Sequence, residues 1–207
     1  MRVMKVGVGE YPSIGLFFHL FEDFGIFSEK AKDLDINIKK EVVDFILVTP
    51  FFIEFEDKII ISKESPKSLI NVLEKYFDLI IVDTIENLIG NVFFISKNCI
   101  LYSKAIKKDV EILKEKLQLP AYKVKTEYYL GSIIKYYDGK LLVAQNQSDK
   151  VLDYIKEKAN PKKFGIATVN FGSPFLRYGI EINKEYLILG NKSTGHEVVK
   201  IEEFFRD

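Results

Sequence analysis

Cysteine is nearly absent from this chain, and so is any imbalance of charge. Cys99 is the single thiol among 207 residues, which excludes an internal disulfide and a cysteine-based zinc site and fits a reducing compartment. The expected location is cytoplasmic. Thirty basic and thirty acidic side chains cancel. No global field therefore steers the chain toward nucleic acid or an anionic membrane, and any such contact has to use a local patch. The opening MRVMKVGVGEYPSIG has no apolar h-region. Charges interrupt every apolar run before it reaches the roughly twenty residues that a membrane span requires. Neither secretion nor membrane insertion is expected.

Chemistry-bearing constellations are also scarce. The two histidines, His19 and His196, have no metal-ligand spacing. His19 stands among Phe17, Phe18, Leu20 and Phe21 and reads as a packed strand residue, while His196 falls in the first turn of a helix, a poor place for a cation. Cys99, between Asn98 and Ile100 at a hairpin exit, reads as a small apolar residue packed into a sheet. The glycines in 7–9 and 190–195 lack the strand, spacing and lysine of a P-loop or dinucleotide fingerprint and read as turns. Lysine-rich runs at 104–116 and 156–163 alternate with acids, the pattern of a solvated helix face. No catalytic residue, cofactor, metal or small-molecule substrate is expected.

What the chain does have is most legible at 164–205. Residues 164–169 suit a buried strand, and Asn170-Phe171-Gly172-Ser173-Pro174 breaks it with residues fitted to tight or positive-φ backbone. Residues 175–182 and 186–189 read as strands on either side of Asn183-Lys184-Glu185. Thr194 and Glu197 form a capping box that starts a helix, whose apolar face is Val198, Ile201, Phe204 and Phe205.

The same order of strand, turn, hairpin and helix recurs upstream. A strand at 79–82, the hairpin of 88–95 with 99–102, and a helix with Ile106, Val110, Leu113 and Leu117 form one copy. Another has strands at 122–125, 129–137 and 140–143 and a helix capped by Ser148, with Val151, Leu152 and Ile155 inward. A third runs through 45–55 and 59–61 to a helix begun by Ser65-Pro66, with Leu69, Ile70, Leu73, Tyr76 and Phe77 on its buried face. The first copy, with strands at 2–8 and 14–21, continues into a charged run whose alternating Leu34, Ile36 and Ile38 argue against a helix.

In register, Gly15, Thr49, Gly90, Gly131 and Arg177 share one position, at steps of 34, 41, 41 and 46 residues. Such a period predicts a repeat architecture of five α/β units, closing into a ring that leaves no open sheet edge, with glycine where backbones crowd near an axis. The expected organisation is one domain, 1–207, with repeats at about 1–44, 45–78, 79–119, 120–161 and 162–207.

The last repeat resembles the C-terminal repeat of the translation initiation factor six family of archaea and eukaryotes. The matching residues are Thr168, Asn170, Gly172, Ser173, Asn183, Gly190, Ser193-Thr194-Gly195, Glu197 and Ile201-Glu202. Pro12-Ser13-Ile14-Gly15, Ile89-Gly90-Asn91 and Leu130-Gly131-Ser132 extend the likeness over nearly the whole chain. Thr49 and Arg177 stand where family members carry glycine, and His196 where they carry proline.

The resemblance implies a pentein-type, pseudo-fivefold α/β propeller. It also implies a noncatalytic ribosome anti-association factor that binds the large subunit, through ribosomal proteins and rRNA near the sarcin-ricin loop, and blocks joining of the small subunit. The resemblance further implies release by a GTPase and an adaptor. The competing expectations are a guanidino-modifying enzyme on the same fold, dependent on Cys99, and an interaction paralogue without anti-association activity. The turns after the first strand of each unit are the expected interface, with Asn87, Asn91, Asn170, Phe171, Gly172 and Ser173; Arg177 is expected either in solvent beside them or in an internal ion pair with Glu181 or a neighbouring acid.

Overall fold

A computed structural model describes residues 1–206. Fifteen strands form five three-stranded sheets among these residues. Each sheet joins an antiparallel hairpin to a parallel third strand taken from the beginning of the next repeat. β2 (Phe18–Leu20) and β3 (Phe24–Ser28) take β4 (Lys39–Val43); β5 (Phe52–Phe55) and β6 (Lys58–Ser62) take β7 (Asp78–Val82). β8 (Phe93–Ser96) and β9 (Cys99–Tyr102) take β10 (Ala121–Lys123), and β11 (Ile134–Tyr137) and β12 (Lys140–Ala144) take β13 (Lys163–Ala167). The fifth hairpin, β14 (Ile180–Ile182) and β15 (Tyr186–Gly190), takes β1 (Arg2–Val6), from the opposite end of the chain. The fold is a mixed α/β repeat of five such three-stranded sheets.

Helices α1 (Lys67–Leu73), α2 (Lys107–Leu117) and α3 (Asp149–Ala159) connect hairpin to third strand in three repeats, and α4 (Gly195–Arg206) follows the fifth hairpin. The first repeat has only turns at 29–38, with Ala31 and Ile36 buried in their place, in keeping with the alternating pattern there. Among the described residues no helix is long and apolar enough to cross a membrane.

The chain divides into two compact units, each considered by itself. One comprises 1–49, 133–146 and the chain from 161; the other comprises 50–132 and 147–160. In the first, Leu176, Ile180, Leu187 and Leu189 meet Ile201, Phe204 and Phe205 of α4, and Ile14, Phe18 and Phe27 form a second cluster with Tyr186 and Ile188. In the second unit, Ile60, Ile89, Phe93 and Ile100 pack with Val110 and Leu113 of α2.

Three expectations need correction. The strand that opens the second repeat is β4, Lys39–Val43, and residues 45–48 lie outside any strand. Lys39, Lys40 and Glu41 disguise β4, because a half-exposed edge strand tolerates charge that a central strand does not. Helix α1 has Pro66 rather than Ser65 at its N-cap, and Ser148 caps α3 by position only, without a side-chain hydrogen bond. The strands expected at 14–21, 88–95, 129–137 and 175–182 each begin later, because their first residues wind into a single helical turn: Ile14–Leu16, Ile89–Val92, Leu130–Ile133 and Leu176–Gly179. A fifth such turn is Thr49–Phe51.

The shared position of all five repeats lies in these turns. In the second unit a Cβ on Gly131 would overlap Gly90 O and stand 2.6 Å from Phe93 O and 2.8 Å from Asn91 O. In the first unit a Cβ on Gly15 would stand 2.6 Å from Arg177 O. Glycine is thus required where one turn lies directly on the backbone of its equivalent. Thr49 fits beside Gly15 by donating its hydroxyl to Gly15 O at 2.6 Å. Gly131→Ala is expected to cost about 1–3 kcal/mol or more, because every atom it meets is backbone and cannot give way. Urea denaturation followed by circular dichroism measures the loss.

Candidate functional site

The loop after β13, residues 168–175, is built around consecutive left-handed conformations, with φ of 52° at Asn170, 64° at Phe171 and 89° at Gly172. Non-glycine residues are uncommon there and persist only where surrounding structure holds them. A single carboxylate does the holding. Glu197, third residue of α4, accepts Thr168 Oγ1 at 2.8 Å and Gly172 N at 2.9 Å on Oε1, and Phe171 N at 3.1 Å and Thr194 N at 2.8 Å on Oε2. The capping box is complete, since Glu197 N donates to Thr194 Oγ1 at 3.2 Å. Val169 and Ser173 close the loop base with two backbone hydrogen bonds. Burial acts to raise the Glu197 pKa, but hydrogen bonds from Thr194, Gly172, Thr168 and Phe171 outweigh it and hold the group below its ordinary 4.5.

Asn170 joins this loop to its equivalent in the first repeat by donating Nδ2 to Pro12 O at 3.0 Å, and its own N–H reaches Ser193 Oγ at 3.0 Å. Phe171 at the tip is 82% exposed, and Tyr11 and Phe175 nearby in the two loops are also exposed. The third repeat, in the other unit, has a similar construction. Asp109, third residue of α2 and fully buried, accepts Ile85 N at 2.9 Å and Glu86 N at 3.0 Å. Ile85 stands 59% exposed at that tip. Asn87 is exposed beside it, whereas Asn91 lies half-buried in the turn Ile89–Val92.

Asn170, Phe171, Gly172 and Ser173 therefore share one held loop, and Asn87 lies on the equivalent loop of another repeat. Arg177 does not point into solvent beside them. It is half-buried in the turn Leu176–Gly179 and donates Nη2 to Thr49 O at 2.9 Å, so its side chain joins two of the shared positions. Glu181 is fully buried on β14, with Oε2 at 2.9 Å from His19 Nδ1 and 3.3 Å from Leu20 N, and Oε1 at 3.3 Å from Lys135 Nζ. Burial acts to raise its pKa; Lys135 and His19 prevail and hold it low. His19 is thus buried on β2 as expected, with Nδ1 against the Glu181 carboxylate. Cys99 is fully buried in β9, where burial pushes its thiol above 9.0 and disfavours the thiolate that a nucleophile needs.

Sequence reasoning missed Asp109, although it occupies the same third helical position as Glu197. It also missed the grouping of His19, Lys135 and Glu181, which lie far apart along the chain and carry no common spacing.

The family model described as the eIF-6 family matches residues 3–204. The chain belongs to that family. A translation initiation factor 6 of Nanoarchaeum equitans (strain Kin4-M) is 27% identical over 218 residues, covering 99% of this chain and 100% of that protein. One from Sulfolobus acidocaldarius is also 27% identical, over 61% of this chain and 58% of that protein. Among solved structures, the chain overlays on an agmatine deiminase of C. jejuni with a TM-score of 0.46 and 16% identity, covering 69% of this chain and 60% of the deiminase. The amidinotransferase SxtG from Microseira wollei gives a TM-score of 0.48 with 11% identity, covering 77% of this chain and 63% of that one.

Both buried carboxylates are held below their ordinary pKa, so they stabilise the fold above that value, and the contribution is lost as pH falls through the depressed one. Acid unfolding is expected to begin below about pH 4.5, from the ordinary carboxylate value. Glu181→Gln is expected to remove about 3–5 kcal/mol at neutral pH, because it leaves Lys135 buried without its counter-charge. Chemical denaturation of the two proteins at pH 7 and pH 4 checks both the size and the direction.

Proposed function

We propose that the chain is a noncatalytic translation and ribosome-biogenesis factor of the cytoplasm that binds the large ribosomal subunit as a monomer and prevents its association with the small subunit. The observation that carries this reading is the family match across residues 3–204, joined to a relative named translation initiation factor 6 that aligns along its whole length. The proposed contact surface is the set of loops after the first strand of each repeat, including Asn87, Asn91, Asn170, Phe171, Gly172 and Ser173. These loops support such a role because they expose side chains on backbone that is firmly held. Release by a GTPase and an adaptor belongs to the same reading, as does a single five-repeat domain spanning 1–207.

Cosedimentation with purified large subunits, followed by a subunit-joining assay, tests the proposal. The expected result is saturable binding and fewer joined ribosomes in proportion to occupancy. Failure to cosediment overturns the reading, and binding without inhibited joining assigns the chain to a paralogue that has lost the anti-association role. Cys99→Ser is expected to leave binding and joining within about twofold of the unaltered chain, which is below roughly 0.5 kcal/mol.

A further inference from the structure

The third strand of each sheet is an edge strand, and four of the five carry positive charge: Arg2 and Lys5 in β1, Lys39 and Lys40 in β4, Lys123 in β10 and Lys163 in β13. Charged side chains, lysine above all, protect a strand edge from pairing with another chain. The fifth, β7, reads DLIIV and has no cation. In the second unit β7 pairs on one side with β6, from Lys58 opposite Asp78 to Ser62 opposite Val82, and with no strand on the other among the described residues. Ile80 and Val82 pack into the cluster with Val110 and Leu113 of α2. Leu79 and Ile81 alternate to the opposite face, where Ile81 is 44% exposed.

An open strand edge differs from an apolar patch because it specifies the conformation of its occupant: its row of N–H and C=O groups is matched by another extended chain. Charge narrows the occupant further. Asp78 begins β7 and Asp83 follows its end, both exposed, with only apolar residues at 79–82 between them. On the β6 side, Lys58 stands opposite Asp78 and Lys63 forms an ion pair with Asp83. A fourth strand would set its own residues on the other side of the same carboxylates, where a cation repeats the cross-strand pairing and an acid meets like charge. We propose that the free edge of β7 receives an extended segment of another protein as a fourth strand, apolar and β-branched at its centre with Lys or Arg at both ends. A second copy of β7 fits less well, because antiparallel self-pairing centred on Ile80 brings Asp78 of each strand to the end of the other that carries Asp83. The site lies within the second unit alone and does not depend on the large-subunit reading.

The test is fluorescence anisotropy of the full-length chain with a labelled peptide library, in which about six central positions drawn from Val, Ile and Thr are flanked by lysines at each end. Saturable binding is expected, with slowed hydrogen exchange at the amides of β7 in the bound state. Peptides with glutamate in place of the terminal lysines are expected to bind about tenfold more weakly, and Asp78→Asn to shrink that preference. Ile81→Lys adds the charge that the other edges carry, and is expected to weaken binding about tenfold or more while the melting temperature stays unchanged. A central proline in the peptide, which cannot donate to the ladder, is expected to abolish binding. The glutamate and proline peptides act on the unaltered chain, so the outcome does not hang on a variant that folds. Absence of saturable binding overturns the proposal, as does equal binding of lysine-ended and glutamate-ended peptides, tolerance of the central proline, or binding by a folded Ile81→Lys within about twofold of the unaltered chain. Concentration-dependent dimerisation in sedimentation that Ile81→Lys abolishes overturns it in favour of self-pairing.

Discussion

Each hairpin of this protein lacks a third strand of its own, and the hydrogen bonds that complete its sheet come from the next repeat. A two-stranded hairpin is marginally stable alone, so every repeat depends on its successor. In the fifth, β1 fills that place by pairing in register with β15 from Arg2 opposite Tyr186 to Val6 opposite Gly190. That single pairing ties the first residues to the last repeat, and it sets the loops of the first and fifth repeats side by side. Asn170 then reaches Pro12, and the exposed Tyr11 and Phe171 become neighbours in one region of the same unit.

Two uses of buried acid follow from this arrangement. Glu181 answers a problem of packing: β2, β11 and β14 bring His19 and Lys135 to the same interior point, and one carboxylate balances them. Such an interior ion group is not strong evidence of added stability, but removing one member leaves the others uncompensated. Glu197 and Asp109 face outward problems instead. Both stand third in a helix, where the helix dipole favours negative charge, and both turn their oxygens toward a preceding loop rather than only toward their own helix. The capping box of Thr194 and Glu197 is therefore also the latch of the surface loop.

The shared glycine position shows how one constraint admits different residues. Gly131 meets only backbone, so nothing but hydrogen fits. Thr49 and Arg177 occupy equivalent positions with side chains, and each donates a hydrogen bond to the backbone of an equivalent turn, Thr49 to Gly15 and Arg177 to Thr49. A buried or half-buried polar group is tolerated when it is hydrogen-bonded.

The period, the helix faces and the hairpins were legible in the sequence, because alternation, helical spacing and turn residues are local properties. The loop 168–175 was legible for the same reason: Asn, Gly, Ser and Pro in one run announce a break. β4 was hidden, since an edge strand with one exposed side can carry Lys39, Lys40 and Glu41 without penalty. The charge of Arg177 favours water, and no local pattern reveals a carbonyl 128 positions away in sequence. The sequence alone determined five copies of one α/β unit and the local bends of their loops. Only the tertiary structure decided which carboxylate holds which loop, which charges are interior, and which strand closes the last sheet, because each of those depends on groups brought together from distant repeats.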